Sequence, residues 1–88
     1  MRLVKWSFTK RYNIKGIFDT HPNSLVIFRQ IKDYYFIYTV KWDITDPPVN
    51  RANLEQMEYL LNVEMGTIEY YQQRKAFGYA AEGKGSRE

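Results

Sequence analysis

The first half of the chain is dominated by apolar residues that alternate with polar ones. In residues 3–9 the apolar positions are Val4, Trp6 and Phe8, and the polar positions between them are Lys5, Ser7 and Thr9. A period of two is typical of a strand with one buried face. The pattern therefore predicts a first strand over residues 3–9.

Two further strands are predicted over residues 24–31 and 34–42, where β-branched and aromatic side chains are frequent. Only Lys32 and Asp33 separate the two segments, which is the spacing of a tight hairpin. Between the first strand and this hairpin, residues 13–23 contain Gly16 and Pro22. We interpret that segment as a loop with room for a short strand.

Both faces of the predicted hairpin are apolar. If Ile31 pairs with Tyr34, one face gathers Leu25, Ile27, Ile31, Tyr34, Phe36, Tyr38, Val40 and Trp42. We expect this face to be the core. The opposite face is too apolar for free solvent, so the N-terminal segment, a helix or a second copy of the chain must cover it. In a symmetric homodimer its interface residues would be Val26, Phe28, Tyr35 and Ile37.

The hairpin also contains a sequence that is prone to aggregation. Residues 34–40 are uncharged and favour β-structure, which is a hazard if they form an open sheet edge.

Helical patterning begins after Asp46-Pro47-Pro48, where the prolines end the sheet. Apolar residues then recur every three or four positions, as Leu54, Met57, Leu61, Met65, Ile68 and Tyr71. Asn50 or Asn53 can cap the helix N-terminus. Gly66 and Thr67 together resemble a stop followed by a cap, which favours a break between Asn62 and Thr67.

The predicted fold class is α+β. A three-stranded, mainly antiparallel sheet of residues 3–45 packs on one long or two short C-terminal helices of residues 50–80. Residues 1–82 are expected to form one small domain, because 88 residues leave no room for a second core. Residues 83–88 contain no apolar side chain and are expected to be a flexible tail.

Charge is distributed unevenly along the chain. Residues 1–46 carry eight Lys and Arg against four Asp, a net charge of +4, whereas residues 47–88 have a net charge of −1. A basic half is expected if one face binds a polyanion, although ordinary solubilising surface gives the same balance. The sequence has no membrane-length apolar segment and no signal peptide, so we expect a soluble, cytoplasmic protein.

The sequence offers little for catalysis or for metal binding. There is no cysteine, and the only histidine, His21, has Asp19 as its one nearby carboxylate. Together these two residues supply at most two metal ligands. No glycine-rich phosphate loop follows a strand, and no serine has the context of a nucleophile. We therefore predict a protein that is not an enzyme and has no cofactor or metal.

Residues 54–77 carry a more specific local pattern. It consists of Val63, the pair Thr67-Ile68, the pair Tyr70-Tyr71 and Arg74. This pattern resembles the helix-turn-helix of MerR-type transcription regulators, over about a quarter of the chain and with no family recognised over its whole length. The resemblance implies a DNA-binding second helix. The same residues also fit a helix or helix pair that simply covers the sheet.

A second route to nucleic acid uses the sheet. Basic side chains interleaved with aromatic ones suit phosphate contact and base stacking. The residues considered for this route on the sheet are Lys5, Ser7, Thr9, Gln30, Tyr35, Thr39 and Lys41.

The sequence thus favours a non-enzymatic nucleic-acid-binding accessory or regulatory protein, with DNA or RNA as its partner. The basic residues assigned to that role are Lys5, Lys10, Arg11, Lys15, Lys41, Arg74 and Lys75. The alternative is a self-associating protein-interaction module that uses the apolar hairpin face described above.

Overall fold

The computed structural model describes residues 1–75 as an antiparallel sheet packed against helices. The sheet has four strands in the order β1-β2-β3-β4, namely Leu3–Phe8, Ile14–Phe18, His21–Ile31 and Tyr34–Lys41. Helix α1 spans Arg51–Met65, and a second helix, α2, is described over residues 68–75. The α+β class is confirmed, and so is the antiparallel sheet. The predicted tail of residues 83–88, and the helical residues expected beyond 75, lie outside the described residues.

The prediction of three strands is wrong, because part of the expected loop forms β2 and the start of β3. Gly16 made this segment look like a turn, but it occupies a buried strand position opposite Trp6. A Cβ atom at Gly16 would lie 3.3 Å from side-chain atoms of both Leu3 and Phe28. Glycine is present here because neighbouring side chains fill the space above its backbone.

The core lies on the opposite face of the hairpin from the predicted one. Ile31 does pair with Tyr34, but the register shifts farther along, where Phe28 pairs with Ile37 and Ile27 pairs with Thr39. Tyr38 is the extra residue of this β-bulge. The core is built from Ile14, Phe18, Val26, Phe28, Tyr35, Met57 and Leu61.

Helix α1 covers this core face. The helix begins at the cap residue Asn50, whose side chain accepts a hydrogen bond from the Asn53 backbone in a capping box. Met57 and Leu61 are fully buried against the sheet. Among the residues described, no helix is long and apolar enough to cross a membrane.

The four residues predicted to form a dimer interface are therefore part of the monomer's own packing. Val26, Phe28 and Tyr35 are at most 8% exposed, and Ile37 packs against the core cluster. The sequence allowed the N-terminal segment, a helix or a second copy as the cover of this face, and in the structure helix α1 packs on it. Self-association itself is a separate question.

The predicted break in the helical region is confirmed. Helix α1 ends at Gly66, whose φ of 74° and ψ of 18° lie in the left-handed region. The backbone N–H of Thr67 donates to the Asn62 carbonyl, which closes the turn before α2. Tyr71 of α2 is buried, and its ring packs near that of Tyr34.

Side chains of α1 cap the backbone of β4, which is an edge strand. Asn62 Oδ1 accepts from the Tyr35 N–H and Asn62 Nδ2 donates to the Tyr35 carbonyl, both at 2.9 Å. Glu58 accepts from the Ile37 N–H at 2.8 Å and from the Tyr71 hydroxyl at 2.9 Å. At Tyr35 and Ile37, backbone groups of this aggregation-prone edge strand are thus occupied by helix side chains.

Candidate nucleic-acid interface

The outer face of the sheet, which faces away from α1, is basic. Each strand contains one basic residue and no acidic residue, and these are Lys5, Lys15, Arg29 and Lys41. Their cross-strand partners are Ile17, Ile27, Phe36 and Leu25, none of which belongs to the buried core. All four cations therefore lie on one side of the sheet, which we call the outer face.

Carboxylates are kept away from the outer face. The four aspartates of residues 1–46 all lie in connections between elements. Asp19 pairs with Arg2, and Asp43 accepts hydrogen bonds from the backbone and hydroxyl of Thr45, which lower the pKa of Asp43. Asp46 is buried and accepts from Ser24 Oγ at 2.6 Å. Three of the four aspartates are thus held in local interactions, and the fourth, Asp33, is exposed in the β3–β4 turn.

The outer-face cations have no ion-pair partner in the described part of the chain. Ion pairs there join Arg2 to Asp19 and join Glu55 to both Arg51 and Lys75. Lys5, Lys15, Arg29 and Lys41 take part in none of them. Since the four side chains are also exposed, their charge is available to a ligand.

Arg29 stacks on an aromatic ring of the same face. Its guanidinium carbon lies 3.8 Å from the centre of the Tyr38 ring. Tyr38 is the bulge residue of β4 and is 54% exposed. Cation–π contact holds both planar groups at the surface. The outer face therefore combines exposed positive charge with a stacked Arg–Tyr pair.

A pocket of about 200 Å³ opens beside these residues. It is lined by Lys5, Trp6, Ser7, Lys15, Ile17 and Leu25. Drug-sized ligand sites have volumes of roughly 300 to 1,000 Å³. The pocket is a depression between two lysines that can receive a small polar or anionic group.

The structure brings together only part of the predicted basic set. Lys5, Lys15 and Lys41 share the outer face. Lys10 and Arg11 lie in the β1–β2 turn, beside Tyr12, which is 82% exposed and has a φ of 63°.

The two basic residues of α2 belong to the helical layer instead. Lys75 lies 3.8 Å from Glu55 and also lies over the Tyr71 ring. Arg74 directly precedes Lys75 on α2 and is exposed. Neither residue is part of the outer face.

Arg29 lies on the outer face but was not among the predicted basic residues. Two polar residues that were considered for nucleic-acid binding lie on the other face. Gln30 and Tyr35 pair with each other on the core side, so neither belongs to the outer face. Arg29 is an alternate residue of the same series as Leu25 and Ile27, and so lies on the face that was expected to be core. A charged residue in the middle of that series was the available signal that this face is exposed.

His21 is a buried strand residue rather than part of a loop. Thr20 Oγ1 lies 2.8 Å from His21 Nδ1, and Nε2 is buried without a hydrogen-bond partner in the described part of the chain. No group of three or more His, Asp or Glu side chains within residues 1–75 could hold a metal ion.

Comparison with known proteins gives one family. A sequence model of the family described as "Uncharacterised protein YuzH" matches residues 2–76. The chain belongs to the YuzH family. Comparisons with curated proteins and with solved structures gave no match. The YuzH match includes all four strands, α1 and the described part of α2.

The YuzH match corrects the resemblance to MerR-type regulators. The expectation that no family spans the whole chain is wrong, and so is the assignment of residues 54–77 to a MerR-type helix-turn-helix. The structure gives a physical reason for the shared pattern. Thr67 donates to Asn62, and Tyr71 donates to Glu58, so these residues fasten the turn and α2 to the edge of the sheet.

Proposed function

We propose that this protein binds nucleic acid with the outer face of its sheet. The observation that carries the proposal is the placement of one basic residue on each strand, all on the same face, without an acidic residue in any strand. Unpaired Lys and Arg side chains bind phosphates and release counterions from the polyanion. Their arrangement across four strands gives a surface rather than a single anion site.

The charge of the two layers supports the same orientation. Residues 1–46, with a net charge of +4, include the whole sheet, whereas residues 47–75, which include the helices, carry three basic and four acidic residues. A polyanion is therefore attracted to the sheet side and repelled by the helix side. The charge and aromatic surface of the outer face suit the binding of a polyanion, and the role that we propose for the protein is non-enzymatic.

A pair of charge-matched variants tests the proposal. The outer-face variant replaces four residues by glutamine, at Lys5, Lys15, Arg29 and Lys41. The control variant replaces four basic residues elsewhere by glutamine, at Arg2, Lys32, Arg51 and Lys75. Both variants change the net charge from +3 to −1. Circular dichroism and thermal unfolding establish that each variant is folded.

Binding is measured by fluorescence anisotropy with labelled oligonucleotides over a range of salt concentrations. Four phosphate contacts give a slope of about −3 for log K against log salt with a single strand. We expect this slope and the binding to be lost in the outer-face variant and largely retained in the control. Equal losses in the two variants would show a nonspecific effect of net charge and would contradict the proposal.

The structure gives less support to self-association through the same surface. Two copies stacked outer face to outer face would bring eight unpaired cations together, and like charges at an interface are repulsive. The predicted apolar interface is occupied by α1. We therefore expect light scattering to find a monomer without nucleic acid, and a stable dimer would favour the interaction-module hypothesis instead.

A further inference from the structure

We infer that the nucleic acid bound by this protein is single-stranded, with unpaired bases stacking at the Arg29–Tyr38 pair. This inference rests on the proposed function and adds the class of nucleic acid to it. Two features carry it: the width of the sheet, and the exposed stacked pair among unneutralised cations.

The outer face is too wide to reach bases inside a duplex. Strands lie about 4.8 Å apart, so the backbones of four strands extend over about 14 Å. The major groove of B-form DNA is about 12 Å wide and admits a helix or a two-stranded ribbon. The outer-face cations reach β1 at one edge and β4 at the other. A surface of this form contacts only the backbone of a duplex, but it can lie along a single strand whose bases are turned toward it.

The Arg29–Tyr38 pair provides the surface for those bases. The bulge places the Tyr38 ring beside Arg29 on the outer face, although the two residues are not cross-strand partners. Aromatic rings and guanidinium planes are the groups on which unpaired bases stack. Arg29 has no carboxylate partner among the described residues, so its charge also attracts the neighbouring phosphate.

Lys15 lies on the β2 side of the stacked pair, in a position suited to the sugar-phosphate backbone. Lys15 pairs with Ile27, and Ile27 pairs with Thr39, so these three residues form one row across β2, β3 and β4. Tyr38 precedes Thr39 and Arg29 lies two residues beyond Ile27, which places the stacked pair next to this row. A base at Tyr38 thus has the Lys15 side chain on its β2 side.

The test compares four polyanions at one low salt concentration. They are a single-stranded oligonucleotide, as DNA and as RNA, the DNA duplex of the same sequence, and inorganic polyphosphate as a charged chain without bases. Each stacked base contributes about 1 to 3 kcal/mol, and about 1.4 kcal/mol corresponds to a tenfold change. We expect at least one of the two single strands to bind about tenfold more tightly than the duplex and than polyphosphate.

Substitutions of Tyr38 separate stacking from charge. Tyr38→Ser is expected to weaken single-strand binding about fivefold or more and to leave duplex binding unchanged, whereas Tyr38→Phe keeps the ring and retains the affinity. Tyr70→Ser is the matched control, because Tyr70 is 50% exposed and lies on α2.

The outcomes distinguish this inference from the proposed function. If the duplex, the single strands and polyphosphate bind equally, or if Tyr38→Ser has no more effect than Tyr70→Ser, the inference is overturned while nucleic-acid binding stands. If no nucleic acid forms a complex, the proposed function fails and the inference fails with it.

Discussion

At the scale of single residues, a few backbone positions determine where the elements end. Gly66 and Lys32 both have positive φ, at 74° and 52°, one at the end of α1 and the other in the β3–β4 turn. Such values suit glycine and, to a smaller extent, asparagine. Lys32 adopts this conformation within a two-residue turn. The hairpin therefore forms at the spacing that the sequence predicts, although its turn lacks glycine.

Gly66→Ala is expected to destabilise the fold by about 1 to 2 kcal/mol, the cost of placing an L-residue in the left-handed region. No heavy atom lies within 4 Å of the position that the new Cβ would occupy, so the effect comes from the backbone alone. Urea unfolding measures it. Gly66→Asn is the control and should cost clearly less. A stabilising alanine would contradict the observed end of α1.

At the scale of elements, the edge of the sheet at β4 depends on α1. The Asn62 side chain pairs with both backbone polar groups of Tyr35 and also donates to the Glu58 carbonyl at 2.8 Å. It acts much as a neighbouring strand would at this one residue. Buried Asn62 thus links helix packing to the protection of a strand that would otherwise aggregate.

Asn62→Leu is expected to cost about 2 to 4 kcal/mol, because it leaves the buried N–H and carbonyl of Tyr35 without partners. Chemical unfolding checks the stability, and light scattering during mild heating checks for aggregation, which should increase. Asn53→Leu on the same helix is the control. It removes an exposed capping interaction and should cost about 1 kcal/mol. Equal effects would mean that the edge contact has no special role.

The contact between Tyr71 and Glu58 makes part of the stability depend on pH. Burial, followed by the nearby Glu58 carboxylate, raises the pKa of Tyr71 above its ordinary value of 10.0. The folded protein therefore holds the phenol proton more tightly than the unfolded chain does. The stabilisation is complete below the ordinary pKa and is lost as the pH rises above it toward the folded-state pKa.

Tyr71→Phe is expected to reduce this loss. Between about pH 8 and about pH 11, the urea midpoint of the unsubstituted protein should fall more than that of the variant, because only the former has this proton to lose. Titration of lysines and of the other tyrosines contributes equally to both proteins. Parallel declines would show that Tyr71 is not linked to folding in this way.

The fold was predictable where local signals agree, and not where distant contacts decide. Alternation identifies β1, the hairpin spacing identifies β3 and β4, and the Gly66-Thr67 pair identifies the helix break. The strand β2 was missed because Gly16 is required by side chains from β1 and β3, which the local sequence does not reveal. The core face was predicted wrongly because both faces of the hairpin are apolar, and the bulge at Tyr38 in addition places Thr39 and Lys41 on the outer face.

The candidate site was predictable only in part for the same reason. Lys5, Lys15 and Lys41 were named from charge, but their presence on one face depends on β2 and on the bulge. Arg29 was overlooked although its position in the alternation marks the outer face. Arg74 and Lys75 were included because both lie within residues 54–77. The resemblance of that segment to MerR-type regulators is overturned by the family match.

At the scale of the whole molecule, uneven charge along the chain becomes uneven charge between two layers. The sheet is built from the basic half and the helices from the slightly acidic half. The helices cover one face of the sheet, so the cations collect on the other. This uncovered face is the surface that we propose for nucleic-acid binding.

Lysine footprinting tests whether the outer face binds nucleic acid, because it compares several surfaces within one molecule. The protein is acetylated briefly at low salt with and without a single-stranded oligonucleotide, and mass spectrometry measures the modification of each lysine. The account predicts protection of Lys5, Lys15 and Lys41 together, with Lys32 and Lys75 unchanged. Protection of Lys75 or Lys32, with the three outer-face lysines still reactive in the complex, would contradict it.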